Sequence, residues 1–132
     1  MKMILLILCG FICAILLDSL WLFFIARDYY QSYIGFLLRS MQGLEWQYIF
    51  AALGVWLASV IGLVVLVMRP HMYDSRSLIV LYGALYGAIV YAVYQLTNYA
   101  IINNWPFVMV ILDMAWGTFL YGLVAFILSF LL

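Results

Sequence analysis

The chain has 132 residues, of which 71% are hydrophobic and 8% charged, with zero formal net charge and a mean hydropathy of +1.24. A water-soluble domain carries about a quarter charged residues, so this composition excludes one and places the chain in a lipid bilayer. No run of Lys or Arg supplies the electrostatic footprint that nucleic acid or a strongly anionic lipid surface requires, so neither is an expected partner.

The first apolar run, Met3 to Ile25, is long enough to cross about 30 Å of hydrocarbon at about 1.5 Å per residue. Lys2 in front of it gives the look of a secretory leader. The run is too long for one, however, no A-x-A cleavage site follows, and the residues before Cys9 and Cys13 are too bulky for lipoprotein processing. It is expected to be retained as the first spanning helix. Cys9 and Cys13, one helical turn apart, suit neither a disulfide framework nor a metal site and read as small packing residues.

The longest connection runs from Ala26 to Glu45. Its apolar set, Tyr29, Tyr30, Tyr33, Ile34, Phe36, Leu37 and Leu38, recurs at helical spacing beside Arg27, Asp28, Arg39 and Glu45. Aromatic rings favour the headgroup zone, so the segment predicts a short interfacial helix lying along the membrane surface. The second span is Trp46 to Met68. The connection Arg69 to Ser77 is polar, with a helix-stopping Pro70 and a Ser/Asp start signal for the third span, Leu78 to Ile102. Asn103-Asn104-Trp105-Pro106 predicts a tight turn with Trp105 at the membrane boundary, and Phe107 to Leu132 is the fourth span. The last two spans are therefore expected as an antiparallel hairpin. The fold class is all-α: residues 1–132 form one domain, a polytopic membrane bundle of four transmembrane helices with a short interfacial helix between the first and second.

Small residues four apart let helix backbones approach closely, and the chain has Gly83 with Gly87, the series Gly54, Ala58, Gly62, and the pair Gly10, Ala14. Two of these seams lead into polar groups. Gly10 and Ala14 run on to Asp18 and Trp21, while Gly83 and Gly87 run on to Tyr91, Gln95 and Asn98.

A carboxylate at depth costs about 2.5–3.5 kcal/mol on insertion scales, which makes Asp18 and Asp113 the first candidates for function. Asp18 lies about seven residues before the end of the first span, Gln95 about seven before the end of the third, and Asp113 about seven after the start of the fourth. All three therefore sit roughly 10 Å below the same interface. Leu17-Asp18-Ser19-Leu20-Trp21 and Leu112-Asp113-Met114-Ala115-Trp116 share the pattern L-D-x-x-W in helices of opposite direction, as inverted-repeat transporters do. The acids could equally be structural, neutralised by a proton or bonded to Ser19, Thr97, Asn98 or an indole N–H. Trp21 and Trp116 fit membrane anchors as well as pocket walls. The candidate ligand-binding set is Asp18, Trp21, Tyr91, Gln95, Asn98, Asp113 and Trp116. His71, the only histidine, lies in a loop, so intramembrane haem, a His-rich metal cage and a Ser/His/Asp arrangement are all excluded, and no cofactor or metal centre is expected. A hard cation on the oxygens of Asp18, Asp113, Gln95 and Asn98 remains open.

Tyr94-Gln95-Leu96-Thr97-Asn98, Trp105-Pro106, Asp113-Met114-Ala115-Trp116-Gly117 and Leu17-Asp18-Ser19-Leu20-Trp21-Leu22 together resemble a bacterial four-helix inner-membrane family catalogued as a domain of unknown function. The resemblance covers essentially the whole chain and implies topology and a site, without a reaction. Its members usually read Y-D-L-T-N where this chain has Gln95, a departure that removes a third carboxylate. It also inclines the ligand towards a lipid-related molecule and implies an inner-membrane location. Lys2, Arg69 and Arg76 on one side against Arg27 and Arg39 on the other favour a cytoplasmic N-terminus and C-terminus.

The leading functional expectation is an intramembrane site for a small polar molecule, cation, proton or lipid headgroup, in a small transporter or carrier that works as a homo-oligomer. The alternatives are a membrane enzyme acting on a lipid or isoprenoid, with an Asp as acid or base, and an accessory subunit of a larger membrane complex.

Overall fold

A computed structural model describes residues 2–40 and 42–132. Helix α1, Lys2–Leu20, continues without a break into a π-helical segment, Trp21–Ile25, in which the Ala26 N–H donates to the Trp21 carbonyl at 2.8 Å. The short α2, Arg27–Ile34, follows and ends in a 3-10 turn, Gly35–Leu37. Helix α3, Trp46–Gly62, again passes into a π-helical segment, Leu63–Met68. Helix α4, Arg76–Ile101, starts on the Ser75 hydroxyl, which accepts the Leu78 N–H at 3.4 Å and so satisfies one of the unpaired donors of the first turn. Helix α5 is Phe107–Ser129.

The all-α expectation holds: four helical stretches, Lys2–Ile25, Trp46–Met68, Arg76–Ile101 and Phe107–Ser129, are long and apolar enough to cross a membrane. α4 begins two residues before the hydropathy edge at Leu78, because the Ser75 cap rather than the apolar run sets its start. In the turn to α5, Asn104 takes a left-handed conformation, φ 61°, which Asn tolerates better than most residues.

Helix α5 is the hub. Half of its span is buried, against about a fifth for each of the others, and it packs along α4 on one side and across α1 on another. α1 lies between α3 and α5 and buries one row four residues apart: Leu6, Gly10, Ala14, Asp18. α4 buries the corresponding row Ile79, Gly83, Gly87, Gln95. α4 meets the end of α3 at Leu63–Met68, and further from that end Tyr86 bridges the two by donating to the Ser59 carbonyl at 2.8 Å.

The glycines explain the closeness of α4 and α5. A Cβ on Gly83 would lie 2.4 Å from the Ala125 Cβ, and one on Gly87 would lie 2.0 Å from the Gly117 carbonyl oxygen. On α1, a Cβ at Gly10 would meet Val60 Cγ1 at 2.9 Å. The third series departs from expectation. Gly62 is covered by the Tyr86 hydroxyl, but Gly54 faces open space and Ala58 is exposed, because α4 meets this face towards the Leu63–Met68 end and not along its earlier turns.

Helix α2, the element expected at the membrane surface, is shorter than the segment that predicts it. It stops at Ile34 and the 3-10 turn, with no helix over residues 38–40 or 42–45. Its apolar face also splits in two. Ile34 packs with Trp105, Met109 and Val110, with Tyr30 against the same cluster, while Tyr29, Tyr33, Phe36, Leu37 and Leu38 stay exposed.

Candidate functional site

The buried row of α1 ends in Asp18, only 8% exposed, and three neutral donors converge on it. Trp56 of α3 donates its indole N–H to Oδ2 at 2.8 Å, Trp116 of α5 donates to Oδ1 at 2.7 Å, and the Tyr91 hydroxyl of α4 donates to Oδ1 at 3.3 Å. Asp113 of α5 accepts from the Tyr30 hydroxyl on Oδ1 and from the Gln95 amide on Oδ2. The Gln95 carbonyl in turn accepts the Trp105 N–H at 2.9 Å, so its amide orientation follows from its two partners.

Both acids line one cavity of about 340 Å³, together with Gln95, Tyr91 and Trp116. No Lys, Arg or His lines it. The one contact between a basic and an acidic side chain among the described residues, His71 Nδ1 to Asp74 at 2.6 Å, belongs to the α3–α4 loop. Each carboxylate is thus solvated by indole, phenol and amide dipoles, with no counter-charge beside it.

Five of the seven candidate residues therefore meet. The other two do not reach the cavity. Trp21 stacks flat on Trp116, ring centroids 4.5 Å apart at 6°, and its buried N–H has no hydrogen-bond partner. Asn98 is half-exposed, makes no side-chain hydrogen bond to either acid, and lies outside the lining; Thr97 is exposed. The partner next to Gln95 is Trp105, which lies just before the fourth span and is buried, facing inward.

The repeated L-D-x-x-W pattern brings its two tryptophans face to face, yet the two halves differ in bonding. Trp116 reaches across to the acid of the other motif, whereas Trp21 bonds to neither acid. Asp113 takes Tyr30 and Gln95 instead.

Tyr30, Trp56 and Trp105 were not singled out for the site from the sequence. The signal for them is the acids themselves. In a chain with no cation at that depth, buried carboxylates need N–H or O–H donors, and Trp56 lies ten residues into its span, about 15 Å from its start.

Tyr30 joins α2 to α5. Burial, and then the neighbouring Asp113 charge, hold its hydroxyl above the ordinary tyrosine value of 10.0, so it stays protonated and donating. Because the folded value is raised, the contribution of this bond is whole below about pH 10 and is lost as the pH rises beyond it. Tyr30→Phe removes the donor while keeping the ring. Hydrogen bonds to charged groups contribute about 1.5–3 kcal/mol, so backbone amides of α2 should exchange roughly 10-fold faster or more, with the spans unchanged. Exchange rates in α2 equal to wild type would show that the Tyr30–Asp113 contact does not hold it.

No curated protein and no solved structure matches the chain. A family model described as "Predicted membrane protein (DUF2177)" matches residues 3–130, nearly the full length. With four apolar spans and that match over almost every residue, the chain belongs to this family of membrane proteins of unknown function.

Proposed function

We propose that the protein is an intramembrane ligand-binding protein, a carrier or small transporter, whose site is the cavity shared by Asp18 and Asp113. One observation carries the reading: two buried carboxylates from the first and last spans face a single cavity of about 340 Å³. Ligand sites usually occupy about 300–1,000 Å³, and acids placed only for packing gain nothing from facing one. The site belongs to the end of the bundle that carries α2 and the α4–α5 turn, and with the termini cytoplasmic in an inner membrane it opens towards the outer leaflet. Four helices rarely enclose a full translocation path, which favours a homo-oligomer.

Asp18→Asn and Asp113→Asn keep shape and remove charge. Each variant should lose a molecule that co-purifies with the wild type, as read by native mass spectrometry, at least 10-fold in occupancy. Retention of the same molecule at wild-type occupancy by both variants would sink the site and leave the accessory-subunit reading in front.

A second reading, an enzyme acting on a lipid or isoprenoid, is favoured by the Tyr30 hydroxyl donating to Asp113 beside the cavity, the contact a proton-transferring pair needs. It differs in outcome: an enzyme releases a chemically altered molecule, a carrier the same one.

A further inference from the structure

We infer that the cavity takes an organic ammonium group, a primary amine or a quaternary nitrogen, held between the Asp18 and Asp113 carboxylates and the aromatic walls; this rests on the ligand-binding reading above.

The sign of the charge comes first. The lining has two carboxylates and no basic side chain. An anionic ligand, phosphate or carboxylate, would meet like charge with nothing to balance it. A cation gains from both acids, and the gain is large where water is thin.

The walls select the kind of cation. Seven of the fifteen lining residues are Trp or Tyr, including Trp56, Trp105 and Tyr94. Aromatic faces attract a positive charge through the ring quadrupole, and cages of such rings are the recurrent way proteins hold quaternary and methylated ammonium groups. A hard metal ion fits poorly. Ca²⁺ takes about six to eight oxygen ligands and Mg²⁺ about six, whereas the oxygens of both acids here already accept N–H and O–H donors. Indole N–H groups cannot ligate a metal, and among the described residues no group of three His, Cys, Asp or Glu lies together. A quaternary ammonium needs no coordination sphere, only a negative field and a face to rest on. A primary one needs three acceptors, which the lone pairs left on Asp18 and Asp113 can supply.

The volume suits a headgroup-sized molecule. Free amines and amine-bearing lipid headgroups share the chemistry, and in the second case the phosphodiester must stay outside the cavity, since no lining cation would receive it.

The test uses the intact protein in nanodiscs of phosphatidylglycerol alone. Choline chloride is titrated against 3,3-dimethylbutan-1-ol, which has the same shape without the charge, at ionic strength matched with NaCl. Trp56, Trp105 and Trp116 line the cavity, so tryptophan emission and the unfolding temperature are the readouts. Choline should give a saturable change in both, with the alcohol at least 10-fold weaker, and Asp18→Asn should weaken choline at least 10-fold. Equal binding of choline and the alcohol to the wild-type chain would overturn the ammonium assignment and leave the ligand-binding reading standing. No saturable change with either probe would likewise overturn the ammonium assignment, and if the protein also co-purifies with no small molecule the ligand-binding reading falls with it. Repeating the titration in discs containing phosphatidylethanolamine separates the sources: a 10-fold fall in apparent choline affinity identifies a competing lipid amine, and an unchanged value identifies a free one.

Discussion

Gly87→Ala should destabilise the bundle by about 3 kcal/mol or more, and Gly87→Leu should give no folded, monodisperse protein in mild detergent. The ideal Cβ at this position lies 2.0 Å from the Gly117 carbonyl oxygen and 2.8 Å from its carbon, so the obstacle is backbone, which cannot swing aside as a side chain can. Room is made only by moving α4 and α5 apart, and that loosens the longest interface in the molecule, including Ala125 and Tyr121 against Gly83. Ordinary overpacking costs about 1–3 kcal/mol with some side-chain relief, and here there is none. Gly54→Ala is the internal control. Nothing lies within 4 Å of a Cβ there, and Ala is about 1 kcal/mol better than Gly inside a helix, so stability should hold or rise. A Gly87→Ala protein as stable as wild type in thermal unfolding would mean that α4 and α5 do not approach as described.

The second large effect is expected at Gln95, 1% exposed and the one residue that bonds both Asp113 and Trp105. Gln95→Leu keeps roughly the same volume but strands two groups at once, the Asp113 Oδ2 and the Trp105 N–H. Each buried polar group left without a partner costs about 1–3 kcal/mol, and more when charged, so the loss should be about 3–5 kcal/mol. Gln95→Glu tests a different property. It retains an acceptor for Trp105 but sets a second carboxyl against Asp113, and the two must then share a proton to coexist. Stability of Gln95→Glu should therefore fall more steeply with rising pH than that of wild type, as read by unfolding temperature between pH 5 and pH 8. A profile for that variant no steeper than wild type, together with a loss under 1 kcal/mol for Gln95→Leu, would remove Gln95 from the polar network.

The spans were legible because a bilayer permits few alternatives: any apolar run of about twenty residues must close its own hydrogen bonds. Asp18, Gln95 and Asp113 were legible as a set for a similar reason, since counting residues from each interface gives depth directly. Azimuth is harder. Depth alone could not separate Gln95, which faces the cavity, from Asn98 one turn on, which does not. Tyr30 was masked by its company: within a run of aromatics suited to headgroups, nothing local says which ring folds inward, and the answer depends on Asp113, 83 residues away. The inward bond of Trp105 was hidden because a tryptophan beside a span end is usually an anchor, and only the Gln95 carbonyl, which needs a donor, calls it inward.

The three donors to Asp18 come from α3, α4 and α5, and this imposes an order on how the protein can be made. Trp116 lies 98 residues downstream of the acid it serves. At about 5–20 residues per second, a ribosome reaches it roughly 5–20 s after Asp18 has been synthesised. For that interval α1 carries an acid with no completed set of partners, at a standing cost of about 2.5–3.5 kcal/mol if it lies in hydrocarbon. The first helix must therefore take up a proton or remain beside the insertion machinery until the last arrives. A chain released before α5 is complete retains that penalty, because the Trp116 donor is still missing.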